Sequence, residues 1–172
     1  MSSVNQESPP PGSSEAINLS TAEGLVDGLL NHAITLGSTK GIEAADLEAL
    51  YSEAYDKLID GRADDALEDL LLLVTHEPWD RRFQFAYGLA LQSLDQWAAA
   101  STHYAQALLL DATDAGCLLR IAECLEAQGE IPDATEALRD CILLSWQDPQ
   151  WHLVRAHAQA ALTRLDDSKD SK

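Results

Sequence analysis

The sequence predicts an all-α fold, a solenoid of helix-turn-helix repeats, and three observations predict it. The first is a spacing of about 34 residues at which small, turn-forming and apolar residues return in the same order. The second is apolar periodicity of the helical kind through nearly the whole region between two polar tails. The third is composition. Among 172 residues, 46% are hydrophobic, although 11 Lys and Arg against 29 Asp and Glu leave a net charge of −18. That is enough apolar material for a core in one ordinary domain, and too much for a disordered acidic chain.

Residues 1–18 are rich in Ser, Pro, Glu and Gly, with Pro9, Pro10, Pro11 and Gly12 in a row. They read as a disordered tail, since such a stretch cannot pack a core. A domain is expected over residues 19–165. Ser20 followed by Glu23 is a capping box, and it opens an N-terminal helix over 20–36. Leu25, Leu29, Ala33 and Leu36, with Val26 and Leu30 beside them, form its apolar stripe. Gly37 and Gly41 bracket a break, and the next helix starts near Ala45.

The repeats follow. Moving Ala54, Gly61, Ala66, Leu70 and Leu73 along by one period of about 34 residues gives Gly88, Asp95, Ala100, Tyr104 and Ala107. A second step gives Ala122, Gly129, Ala134, Leu138 and Cys141. Each column has a physical reason. The first small residue lets the two helices of a hairpin lie close. The Gly or Asp permits the tight turn between them. The alanine after it is a second close contact, and the bulky residue fills the gap to the next repeat. This is the tetratricopeptide pattern, with repeats at about 47–80, 81–114 and 115–148. Pro78 falls where the first repeat's second helix must stop. Pro149 suits a helix start, and Trp151, Val154, Ala158 and Leu162 give the apolar face of a C-terminal capping helix over 149–165. Residues 166–172 read as a second disordered tail.

The acidic balance argues against nucleic acid, whose phosphates need a basic footprint, and against an anionic membrane surface. No apolar run approaches the ~18 residues that span a bilayer, so membrane insertion is not expected. Met1 to Glu7 offers neither a basic nor an apolar signal region, and a cytoplasmic protein is expected. Cys117, Cys124 and Cys141 lack paired metal or disulfide spacing and read as small core residues. His32, His76, His103, His152 and His157 are scattered, and there is no phosphate loop or nucleophile motif. The sequence therefore predicts no enzyme, no metal and no cofactor.

What a helical solenoid does offer is a concave groove lined by the first helix of each repeat. The groove-facing positions are Glu48, Tyr51, Tyr55 and Leu58, then Arg82, Phe85, Leu89 and Gln92, then Gly116, Leu119, Glu123 and Glu126. Tyr51 and Tyr55 share one helix face, and Phe85 follows Tyr51 in the next repeat. An aromatic and aliphatic floor with a few polar groups suits an extended peptide with spaced apolar anchors. The competing reading puts the aromatics in the seams between helices. A clamp for a C-terminal carboxylate is disfavoured, because Tyr51 and Tyr55 stand where such clamps place Lys and Asn.

The run from Ile42 to Tyr55, with Leu50-Tyr51 and Ala54-Tyr55 as its most specific part, is followed by Gly61-Arg62 and three repeats. With Asp80-Arg81-Arg82-Phe83, Tyr87-Gly88-Leu89-Ala90 and Ala122-Glu123-Cys124-Leu125, it resembles the class II chaperones of bacterial type III secretion, the LcrH/SycD-like family. The resemblance covers roughly residues 20–165. It implies a chaperone of the bacterial cytoplasm that keeps hydrophobic translocator proteins soluble before export, by holding a short segment of the client in the groove. Tyr51 and Tyr55 fall on the family's groove aromatics. The helix carrying Leu25, Leu29 and Leu30 falls on the segment its members often use to dimerise, which implies a weak homodimer. A general tetratricopeptide adaptor of another cytoplasmic complex is the alternative.

Overall fold

The structure is a computed structural model that describes residues 43–170. The tail expected at residues 1–18 and the helix expected at 20–36, with Leu25, Leu29 and Leu30, lie outside the described residues. Within them every regular element is helical: α1 (Ala44–Ile59), α2 (Ala63–His76), α3 (Arg81–Ser93), α4 (Trp97–Leu110), α5 (Ala115–Ala127), α6 (Ile131–Ser145), a 3-10 turn (Pro149–Trp151) and α7 (His152–Asp170). Successive helices pack on one another. α3 also touches α1, and α7 touches α5, the stacking that a solenoid of hairpins requires.

The periodic columns hold this stack together. Ala54, Ala66, Ala100 and Ala134 are fully buried, as are Leu70, Tyr104, Leu73, Ala107 and Cys141. Gly88 shows why its column is small: a Cβ there would sit 3.0 Å from the Tyr104 ring. The core runs as three successive clusters. Leu47, Ala54, Leu70 and Phe83 centre the first. Leu91, Ala100, Tyr104 and Cys124 join the second repeat to the third. Leu119, Leu138, Ala158 and Leu165 join the third to α7. All three cysteines are buried, and burial pushes the Cys124 and Cys141 thiols up to about 11. Unreactive core packing follows.

Each hairpin turn uses the same device. Gly61, Asp95 and Gly129 take left-handed backbone, with φ of 74°, 59° and 81°. The amide one residue later closes back over the helix end: Arg62 to Lys57, Gln96 to Leu91 and Glu130 to Leu125, at 2.8, 2.9 and 2.9 Å. This is the helix stop that favours glycine. Asp95 is the one non-glycine residue with positive φ among the described residues. Asp95→Gly is therefore expected to stabilise the chain by up to about 1 kcal/mol, and Asp95→Val to destabilise it by at least as much. Urea melts of both variants check this.

Helix starts repeat as well. Asp80 accepts the Arg82 amide at 2.8 Å, Asp114 the Gly116 amide at 2.8 Å, and Asp148 the Gln150 amide at 2.9 Å. Each carboxylate satisfies an orphan donor and meets the positive end of its helix. Where the sequence ends the capping helix near residue 165, α7 continues to Asp170. The tail expected over 166–172 is thus helical for five of its residues, 166–170, since Leu165 is buried and carries the last turns onward.

Candidate functional site

The column of Tyr51, Phe85 and Leu119 places one residue from the first helix of each repeat at the bottom of a single groove of about 420 Å³. α1 also contributes Tyr55, and α3 adds Arg81 and Arg82 at its start. Asp114, Gly116 and Arg120 come from the start of the third repeat. The opposite side is made by Trp151, Val154 and His157, from the 3-10 turn and α7. A second depression of about 280 Å³ shares Leu119 and His157 with the first, and takes Glu123 and Glu126 on one side and Ala160, Ala161 and Arg164 on the other. The two form one trough between the repeats and the terminal helix.

Of the residues singled out in the sequence, Tyr51, Tyr55, Arg82, Phe85, Gly116 and Leu119 line the larger part, and Leu119, Glu123 and Glu126 the smaller. Glu48, Leu58, Leu89 and Gln92 line neither. Leu58 is half-buried against the first core cluster. It stands one turn before Gly61, where the last turn of α1 faces its own hairpin partner. Its counterpart Gln92 is drawn the same way: the Tyr104 hydroxyl donates to Gln92 Oε1 at 2.7 Å.

The aromatics divide between groove and seam. Tyr55 is 39% exposed. Tyr51 is half-buried, its ring 5.8 Å from that of Tyr55 and 5.2 Å from that of Phe83. Burial raises its phenol pKa above the ordinary value. The Arg82 guanidinium lies 5.4 Å from the Tyr51 ring centre, in range for cation–π attraction. Phe85 reaches from the floor to Tyr104, with ring centres 5.2 Å apart at 61°. The floor is therefore rooted in the core, which gives its rings fixed positions.

Three arginines border this floor, each paired within the chain. Arg81 bonds Asp114 and lies 3.7 Å from Asp111. Arg82 donates to Glu48 Oε2 at 3.0 Å and to Asp80 Oδ2 at 2.6 Å, and this bond holds the Glu48 carboxyl below its usual pKa. Arg120 donates to Glu123 Oε2 at 2.9 Å. That same oxygen accepts from Gln92 Nε2 at 3.0 Å, so the relay Tyr104–Gln92–Glu123–Arg120 ties the groove to the seam. Guanidiniums that already hold carboxylates are poor receptors for a free carboxylate terminus, but each has five N–H donors. Those beyond the pairs suit the carbonyls of an extended main chain. Among the described residues no group of three or more His, Cys, Asp or Glu is placed to hold a metal ion, and no helix is long and apolar enough to cross a membrane.

Arg81 and His157 line the groove beyond the positions expected from the sequence, and so do Trp151 and Val154, which the sequence presents as the apolar face of a cap. A visible signal existed for the last element: Trp151, Val154, His157, Ala161 and Arg164 recur every three or four residues, as one side of a helix does.

No family model matches the chain. Over 104 residues it is 28% identical to the low calcium response locus protein H of Yersinia pestis, a match that covers 60% of this chain and 62% of that relative. The matched stretch is thus under two thirds of the relative's length. Among solved structures, it is similar to the type III secretion chaperone SycD of Yersinia enterocolitica in complex with a peptide of the translocator YopD. The TM-score is 0.70 at 25% identity, over 74% of this chain and 98% of that one. It is similar also to PcrH, a protein of Pseudomonas aeruginosa, in complex with the chaperone-binding region of PopD. Here the TM-score is 0.72 at 25% identity, over 75% of this chain and 97% of that one. Sequence and fold likeness point the same way as the resemblance read from the residues.

Proposed function

We propose that this chain is a class II chaperone of type III secretion, acting in the bacterial cytoplasm without enzymatic activity. It binds a short extended segment of a hydrophobic translocator protein in its groove and keeps that client soluble before export. The observation that carries this reading is the groove floor of Tyr51, Phe85 and Leu119, one residue per repeat, open to solvent at Tyr55 and bordered by paired arginines. Apolar anchors of a client would desolvate that floor. A net charge of −18 keeps loaded complexes apart. Similar proteins solved with translocator segments support the same reading.

The test is co-expression of the tagged chain with a candidate translocator, a protein with two hydrophobic stretches encoded by a neighbouring gene. The client is expected to stay soluble and to co-purify. A client that precipitates in the presence of the chain as it does alone would overturn the proposal, and retention of other cytoplasmic proteins in its place would favour an adaptor.

Self-association belongs to the same proposal. The sequence places Leu25, Leu29 and Leu30 in an apolar stripe expected to exceed what one neighbouring helix would cover, so a weak homodimer is expected through it. Light scattering should find the chain lacking residues 1–36 monomeric or less soluble. A monomeric full-length chain at high concentration would dismiss the idea.

A further inference from the structure

We propose that the terminal element, Trp151 with α7, is a wall of the client groove and contributes to affinity, in addition to closing the last repeat's core. The inference rests on the chaperone reading above and concerns the opposite side of the groove from Tyr51 and Tyr55. One side of α7 serves two tasks. Ala158 and Leu165 are buried against the third repeat, and Val154 and Ala161 pack on the same core. Val154 and Ala161, with the exposed His157 and Arg164 beside them, also line the two depressions. A cap needs only the first contact, whereas this side borders the groove as well.

The local packing supports a designed wall. A Cβ on Gly116 would lie 3.6 Å from the Trp151 ring and 2.9 Å from Asp114 Oδ1. The close limit at Gly116 is the buried Asp114 that caps α5, and the Trp151 ring settles beside it, at the start of the third repeat, at ordinary contact distance. From there the indole faces the same cavity as Tyr51 and Phe85. A client's bulky apolar side chain entering this cavity would be covered on two sides, which one row of repeat helices cannot do. Farther along, Ala160 and Ala161 leave the trough open enough for a main chain. Arg164 donates to Glu126 at 2.7 Å and closes its end.

The occupant is an extended translocator segment with apolar anchors, and the experiment uses the translocator retained in the co-expression above, presented as tiled synthetic peptides. Ala160→Trp fills the second depression from an exposed position. Gln159→Trp places the same ring on the neighbouring exposed position, away from the trough. Calorimetric titration is expected to show affinity at least about tenfold weaker for Ala160→Trp and for Trp151→Ala, with Gln159→Trp binding as the unaltered chain does. Thermal melts accompany each. Because Trp151 also packs on the third repeat's core, Ala160→Trp is the variant that decides if Trp151→Ala melts early. Equal affinity for Ala160→Trp and the unaltered chain overturns the inference and leaves the chaperone reading standing. An equal loss for Gln159→Trp overturns it too. If Ala160→Trp instead converts a dimer into a monomer with peptide affinity unchanged, the wall faces a second copy and the inference is wrong. An unaltered chain that retains no translocator removes both proposals together.

Discussion

Replacing Tyr51 and Tyr55 together by alanine is expected to weaken binding of a translocator segment by about a hundredfold or more. Buried aromatic anchors commonly lose roughly 2 kcal/mol each on truncation, and ~1.4 kcal/mol is tenfold. The two residues would contribute differently. Tyr55, 39% exposed, has most to gain from a client, and its removal leaves little void in the free protein. Tyr51 is half-buried on Phe83 and under Arg82, so its truncation also costs the fold about 1–2 kcal/mol. Tyr55→Ala is therefore the cleaner variant: binding should fall about tenfold or more with the melting temperature nearly unchanged. The opposite view, in which both rings only fill a seam, expects early melting and no binding defect beyond it. Calorimetric titration and thermal melts on the same samples separate the two. Tyr55→Ala that binds at full strength would remove the groove assignment at its most exposed residue.

The repeat register was legible because each column is under a local constraint that a residue type announces. A left-handed turn selects Gly61, Asp95 and Gly129, and a close helix crossing selects Ala66, Ala100 and Ala134. The floor column of Tyr51, Phe85 and Leu119 followed from the same register. Asp80, Asp114 and Asp148 recur at the same interval and cap the helices that follow. They were equally visible, but an aspartate in a connection is common enough to pass as solvated loop. What could not be read locally is where α7 lies. Its path depends on the small rotation each hairpin adds to the next, and that rotation is a property of the packed stack. Without it, Trp151 and Val154 show only an apolar face, which suits a cap and a groove wall alike. Leu58 differs for the converse reason. Its spacing puts it on the groove face, but it is packed against the first core cluster.

Ala100→Leu is expected to destabilise the chain by about 1–3 kcal/mol, a drop of roughly 2–4 °C in melting temperature for each kcal/mol. Ala100 is fully buried in the cluster with Leu91, Tyr104 and Cys124. The same hairpin is tight elsewhere too: the Tyr104 ring lies 3.0 Å from where a Cβ on Gly88 would stand. Three added carbons must push the helices apart or force Tyr104 from its place. Tyr104 cannot move alone, since its hydroxyl begins the relay through Gln92 and Glu123 to Arg120 at the groove. The second repeat also sits between the two sides of the groove, with Tyr51 and Tyr55 before it and Trp151 after. In a chain where each repeat rests on its neighbours, a disturbed centre changes the spacing of the two walls. Ala100→Leu should therefore weaken client binding at temperatures where it is still folded, although no atom of Ala100 lines the groove. Ala98→Leu, an exposed position on the same helix, should change stability by no more than about 0.5 kcal/mol and leave binding alone. Equal melting and equal affinity for both variants would show that the hairpins do not meet at this column.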